Sequence, residues 1–83
     1  MVGRAPAGYY VTVDVTVRLK NDRLIHGNWI TPLGLPRATN KARSWMVADM
    51  RERGIRGRSQ IVALEIRAGL QKLPKGKTYE DVG

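Results

Sequence analysis

The most regular stretch of the chain is residues 9 to 19, YYVTVDVTVRL. Tyr9, Val11, Val13, Val15, Val17 and Leu19 fall on one side of a two-residue repeat, and Tyr10, Thr12, Asp14, Thr16 and Arg18 on the other. Alternation of this kind, rich in β-branched residues, predicts a β-strand with one buried face. Residues 20 to 22, KND, supply turn chemistry, and residues 23 to 31, RLIHGNWIT, return as a second strand. A three-residue loop sets Ile25, Gly27 and Trp29 opposite Val17, Val15 and Val13. A two-residue loop would bring His26 and Asn28 there instead, so the three-residue loop buries better.

The pattern then changes. TPLGLP, residues 31 to 36, is a connector interrupted by two prolines and a glycine. Thr39 or Asn40 is placed to cap a helix running through KARSWMVADMRERG, with Ala42, Trp45, Met46, Asp49 and Met50 near one face and Gly54 ending it. Ser59 is the next capping candidate, and the sequence predicts a second helix from there to about Leu73, stopped by Pro74. Its apolar set is Ile61, Val62, Leu64, Ile66, Ala68, Gly69, Leu70 and Leu73, wider than one small neighbour would cover. That width suggests a dimer core, or a helix buried on several sides by its own chain. The expected fold is therefore α+β, an N-terminal strand or hairpin followed by two helices (β-β-α-α), assembled as a dimer. Residues 1 to 8 read as a flexible arm, 9 to 73 as one small basic domain and 74 to 83 as a mobile tail.

Charge sharpens this picture. The 83 residues carry a formal net charge of +8, with 15 Lys or Arg against 7 Asp or Glu. Eleven of the basic residues lie between 37 and 77, with only Asp49, Glu52 and Glu65 to oppose them. A field of this sign attracts phosphate backbones and speeds association with them. Ten of the basic residues are Arg, whose planar fork suits phosphate and guanine.

Catalytic chemistry finds little support. There is one histidine and no cysteine, which excludes a disulfide framework and a thiolate zinc site. His26 stands alone on the second strand and reads as a surface imidazole. No phosphate-binding or dinucleotide glycine pattern occurs. The sequence implies neither an enzyme nor a cofactor. No apolar run approaches the roughly 20 residues that span a bilayer, and the N-terminus lacks the apolar core of a secretory signal. A cytoplasmic protein is expected. Trp29 and Trp45, in a chain without phenylalanine, read first as bulky core residues.

Residues 51 to 70, RERGIRGRSQIVALEIRAGL, resemble the ribbon-helix-helix DNA-binding family in the glycine that ends one helix, the short turn and the serine, amide and isoleucine that begin the next (Gly54, Ser59, Gln60, Ile61). The resemblance implies a homodimeric transcriptional repressor on double-stranded DNA. The strand at 9 to 19 would pair with its twin and enter the major groove, with Thr12, Asp14, Thr16 and Arg18 facing bases. Phosphate contacts would come from Arg51, Arg53, Arg56, Arg58 and Ser59 around the inter-helix turn, with Lys41 and Arg43 on the first helix. GIRG, residues 54 to 57, is also similar to the GxxG loop of KH domains, which clamp single-stranded RNA or DNA. An RNA-binding or ribosome-associated protein, or a small inhibitor or adaptor docking on an acidic protein, is the alternative reading.

Overall fold

The computed structural model describes residues 3–55 and 60–83. Strand β1 is Tyr9–Leu19, β2 is Leu24–Thr31, helix α1 is Leu35–Glu52, β3 is Ile61–Lys72 and α2 is the single turn Tyr79–Val82. The strands form one antiparallel sheet in the order β2-β1-β3, and α1 packs on one of its faces.

The hairpin follows the pattern of its valines. Val17 pairs with Ile25, Val15 with Gly27 and Val13 with Trp29, the register of the three-residue loop. Asp22 takes a left-handed conformation (φ 65°), its amide donates to the Leu19 carbonyl and the Leu19 amide donates to the Arg23 carbonyl, which closes the three-residue loop. The side chains of Val11, Val13, Val15 and Val17 are completely buried. They meet Ile25 from β2 and Ala38, Ala42, Met46 and Met50 from α1.

Gly27 has a spatial role. A Cβ there would collide with the Trp29 ring and with Met46 Sδ, so the missing side chain lets the indole fold over the strand. Trp29 and Trp45 then pack at 6.1 Å between ring centroids, tilted by 42°, against the same core.

Helix α1 begins at Leu35, earlier than the caps Thr39 and Asn40 suggest. Gly34 is the N-cap, and Pro36 sits in the first turn, where its missing amide leaves no intrahelical bond unmade. Thr39 lies inside the helix, and its hydroxyl donates to the Leu35 carbonyl at 2.9 Å.

The β-β-α-α order is corrected by β3. Residues 61 to 72 form a strand along β1, not a second helix, with Ile66 opposite Val15 and Leu64 opposite Val17. The chain is thus a sheet-dominated α+β fold, β-β-α-β with a short closing turn of helix. The physical reason is visible in residues 64 to 71. Leu64, Ile66, Ala68 and Leu70 alternate strictly with Glu65, Arg67, Gly69 and Gln71, a period of two that extra apolar residues at 61, 62 and 73 obscure. A bulge between Arg18 and Leu19 accommodates Val62.

The same finding removes the intermolecular ribbon. β1 is the middle strand, hydrogen-bonded on both sides within its own chain, and has no edge left for a twin. GIRG lies between a helix and a strand, and Arg56, Gly57, Arg58 and Ser59 fall outside the described residues.

The described segments on either side of the sheet and helix are tied to this frame. Arg4 bridges to Leu33, and Ala5 donates to the Pro32 carbonyl. Thr78 and Asp81 form a capping box, and the Tyr79 hydroxyl donates to the Ile30 carbonyl at 2.9 Å.

Candidate nucleic-acid interface

Two polar surfaces result, on opposite sides of the molecule: the outer face of α1 and the uncovered face of the sheet.

The outer face of α1 follows from helical periodicity. Ala38, Ala42, Met46 and Met50 recur every four residues and are buried, which sends the intervening positions outward. Arg37, Asn40, Lys41, Ser44 and Arg51 are exposed there, and Arg43 is exposed on the opposite flank of the helix from Lys41. No carboxylate precedes Asp49 in this helix, and its first turn holds no acidic residue. Asp49 is not free to neutralise the surface, because it pairs with Arg53 at 2.8 Å. Among the described residues, Lys41, Arg43 and Arg51 make no ion pair. At about 1.5 Å per residue, the cations from Arg37 to Arg51 span roughly 21 Å of the helix.

Arg53, expected among the phosphate contacts, has a different task. It follows the last turn of α1, binds Asp49 and donates to the His26 carbonyl at 3.1 Å. It therefore fastens the end of the helix to the outer edge of β2. Lys41, Arg43 and Arg51 remain displayed on α1, while Arg56, Arg58 and Ser59 lie outside the described residues.

The uncovered sheet face carries the expected base readers. Thr12, Asp14, Thr16 and Arg18 all point there from β1, flanked across the sheet by Ile30, Asn28, His26 and Leu24 from β2 and by Gly69, Arg67, Glu65 and Ala63 from β3. Its charges sum to zero, Arg18 and Arg67 against Asp14 and Glu65, and among the described residues Arg18 makes no ion pair. Asn28 donates to Asp14, His26 Nε2 lies 3.7 Å from Asp14, and Arg67 grips Glu65 at 2.6 Å. Thr16 Oγ1 is 3.2 Å from His26 Nδ1. Together Asp14, Thr16, His26, Glu65 and Arg67 line an open depression of about 420 Å³.

A hydroxyl, an imidazole and a carboxylate in sequence invite comparison with a hydrolytic relay. Here, however, His26 is 62% and Asp14 46% exposed. Backbone amides of a sheet lie in its plane, so none from the ladder points out of this face to hold an oxyanion. The cluster is a polar ladder across three strands. Among the described residues no group of three or more His, Cys, Asp or Glu side chains is placed to hold a metal ion. Among the same residues, no helix is long and apolar enough to cross a membrane.

The predicted phosphate contacts on α1 and the predicted base contacts on β1 are thus separated by the whole core. One groove of a duplex cannot receive both. Sequence reasoning did not place Arg37, which precedes the expected helix, Asn40, read as a cap, or Ser44, inside the helix, among the site residues. Pro36 followed by a four-residue apolar repeat was the signal for them. Comparison with family models, with curated proteins and with solved structures finds no match for this chain.

Proposed function

We propose that this protein binds double-stranded DNA through the outer face of α1, as a small sequence-reading regulator of the repressor type. The observation that carries the reading is the cationic strip on α1, lying on the side of the molecule away from the self-neutralised sheet. Lys41, Arg43 and Arg51 contact phosphates, which supplies affinity without regard to sequence. Arg37, Asn40 and Ser44 share the exposed surface and are suited to base edges, Arg to guanine and Asn to adenine. A helix presented on a flat sheet has the width that a major groove admits. The uncovered sheet face, with Asp14 and Glu65 among its side chains, contributes little to holding a polyanion.

The test is equilibrium binding of duplex DNA, single-stranded DNA and RNA, titrated with salt. The proposal expects duplex to bind best, with affinity falling steeply as salt rises. Charge reversal at Lys41 and Arg43 should weaken every sequence alike, whereas Asn40→Ala should narrow the gap between preferred and random sequence. A preference for single strands or RNA would move the reading to the ribosome-associated or RNA-binding class. Indifference to all three would overturn it.

A further inference from the structure

The two outer edges of the sheet are finished differently. On β2, the outward carbonyls of His26 and Ile30 receive the Arg53 guanidinium and the Tyr79 hydroxyl. These contacts also fix the polarity of the ladder. Even-numbered residues of β2 point their backbone groups outward, so odd-numbered residues face β1. The pairings then make Ala63, Glu65, Arg67 and Gly69 the residues of β3 that bond to β1. Leu64, Ile66, Ala68 and Leu70 point their N–H and C=O groups away from the sheet. Among the described residues, no side chain or backbone group meets them.

This bare edge belongs to the longest strand of the molecule, 12 residues, and it is apolar. Leu64, Ile66 and Ala68 are only half-buried by α1, Val62 is 53% exposed and Leu70 43% exposed. Natural sheets blunt such edges because they pair with other strands.

We propose that β3 pairs antiparallel with β3 of a second copy of this chain, about a two-fold axis through Ile66, joining two three-stranded sheets into one of six strands. Three features select this partner and this register. First, a two-fold centred on Ile66 sets Glu65 opposite the second copy's Arg67 and Arg67 opposite its Glu65, so the strand is complementary to itself. Centring on Glu65 or Arg67 would oppose like charges. Second, the same register brings Val62 against Leu70 and Leu64 against Ala68 on both sides of the axis, which covers the exposed apolar residues of β3. Ile66 lies at the middle of the strand, so the overlap is also the longest available. Third, the chain exposes 5948 Å², against roughly 5,000 Å² for a compact monomer of 9.3 kDa. The excess is similar to the surface, about 800 Å², that one partner contributes to a standard interface.

This assembly goes beyond the nucleic-acid reading and stands without it, since its test contains no nucleic acid. It places both α1 helices on the same side of the joined sheet, so their cationic strips face one direction.

Mass is measured by light scattering and native mass spectrometry, with circular dichroism to confirm that each variant folds. The wild-type chain should be a dimer at about 100 µM, within the range expected of a modest strand interface. Glu65→Arg and Arg67→Glu each turn two attractive cross-strand pairs into repulsive ones, and each should weaken self-association by about tenfold or more. Mixing the two variants should restore a dimer, now a heterodimer of distinct mass. In it the arginine introduced at position 65 of one copy faces the glutamate introduced at position 67 of the other, and the unchanged Arg67 of the first faces the unchanged Glu65 of the second. A weakened fold in either variant cannot produce that rescue. Ala68→Pro removes an outward amide and no bond to β1, and should give a folded monomer. A wild-type monomer, a dimer that all three substitutions leave intact, or two variants that stay monomeric when mixed would each overturn the proposal.

Discussion

The outer face of α1 and the uncovered face of the sheet both meet solvent and both carry arginine, yet they are built to opposite ends. On α1, Lys41, Arg43 and Arg51 make no ion pair among the described residues; of the helix's two carboxylates, Asp49 is committed to Arg53, and Glu52 is exposed at the last residue. On the sheet, Arg67 holds Glu65, and Asp14 is shared by Asn28 and His26. Counting charges along the chain does not distinguish these faces. What distinguishes them is periodicity: a helix gathers residues three and four apart, whereas a sheet gathers residues two apart and their cross-strand neighbours. Of the chain's +8, the helix itself contributes four cations, Arg37, Lys41, Arg43 and Arg51, against Asp49 and Glu52.

The sharpest way to break this contrast is to reverse the charge of one face. Lys41→Glu with Arg43→Glu should lower duplex affinity by about 100-fold at low salt, since each removes a phosphate contact and adds a repulsion. Fluorescence anisotropy with a labelled duplex measures it. Next comes the layer that holds the two faces apart. Gly27→Val forces a side chain into space occupied by Trp29 and Met46. Overpacking of this kind costs about 1–3 kcal/mol, and urea denaturation should show it as a lower midpoint with little change in slope. Arg53→Ala should separate pinning from binding. Its salt bridge is partly exposed, with 43% of the arginine side chain in solvent, so the loss should be about 1 kcal/mol of stability with duplex affinity nearly unchanged. The smallest effect is expected on the sheet, where Arg18→Ala should alter duplex affinity by less than about threefold. A large loss there would return the base-reading role to β1.

How much of this arrangement was legible in the sequence differs from element to element. The alternation of β1 and the burial argument for its hairpin gave both strands and their pairing, because local pattern and core burial agree there. The start of α1 was hidden by reading Thr39 and Asn40 as caps. Both are good capping residues, but Gly34 and Pro36 begin the helix about one and a half turns earlier, and the Ala38 to Met50 repeat continues back to that point. β3 was misread because Ile61, Val62 and Leu73 flank a clean two-residue alternation and make it look like a broad helical face. The deciding term is tertiary: β1 has a second edge that must be paired, and residues 61 to 72 are the segment long enough to pair it. The cationic residues of the site were legible as charges. Their common face was not, since it depends on where α1 begins and on which side of it the sheet lies. Arg53 shows the limit most clearly, because nothing local announces that its guanidinium reaches the His26 carbonyl on a strand 27 residues away.

The central claim is that α1, and not the sheet, presents the chain's positive charge to DNA. Its most direct measurement is the salt dependence of duplex binding for the wild-type chain, for Lys41→Glu/Arg43→Glu, and for Arg18→Ala/Arg67→Ala. With Lys41, Arg43 and Arg51 on phosphates, log affinity should fall with log salt at a slope of about −3 per chain. The α1 variant should flatten that slope by about two units, and the sheet variant should leave it in place. A slope that survives charge reversal on α1 but collapses when the sheet arginines are removed would contradict the account.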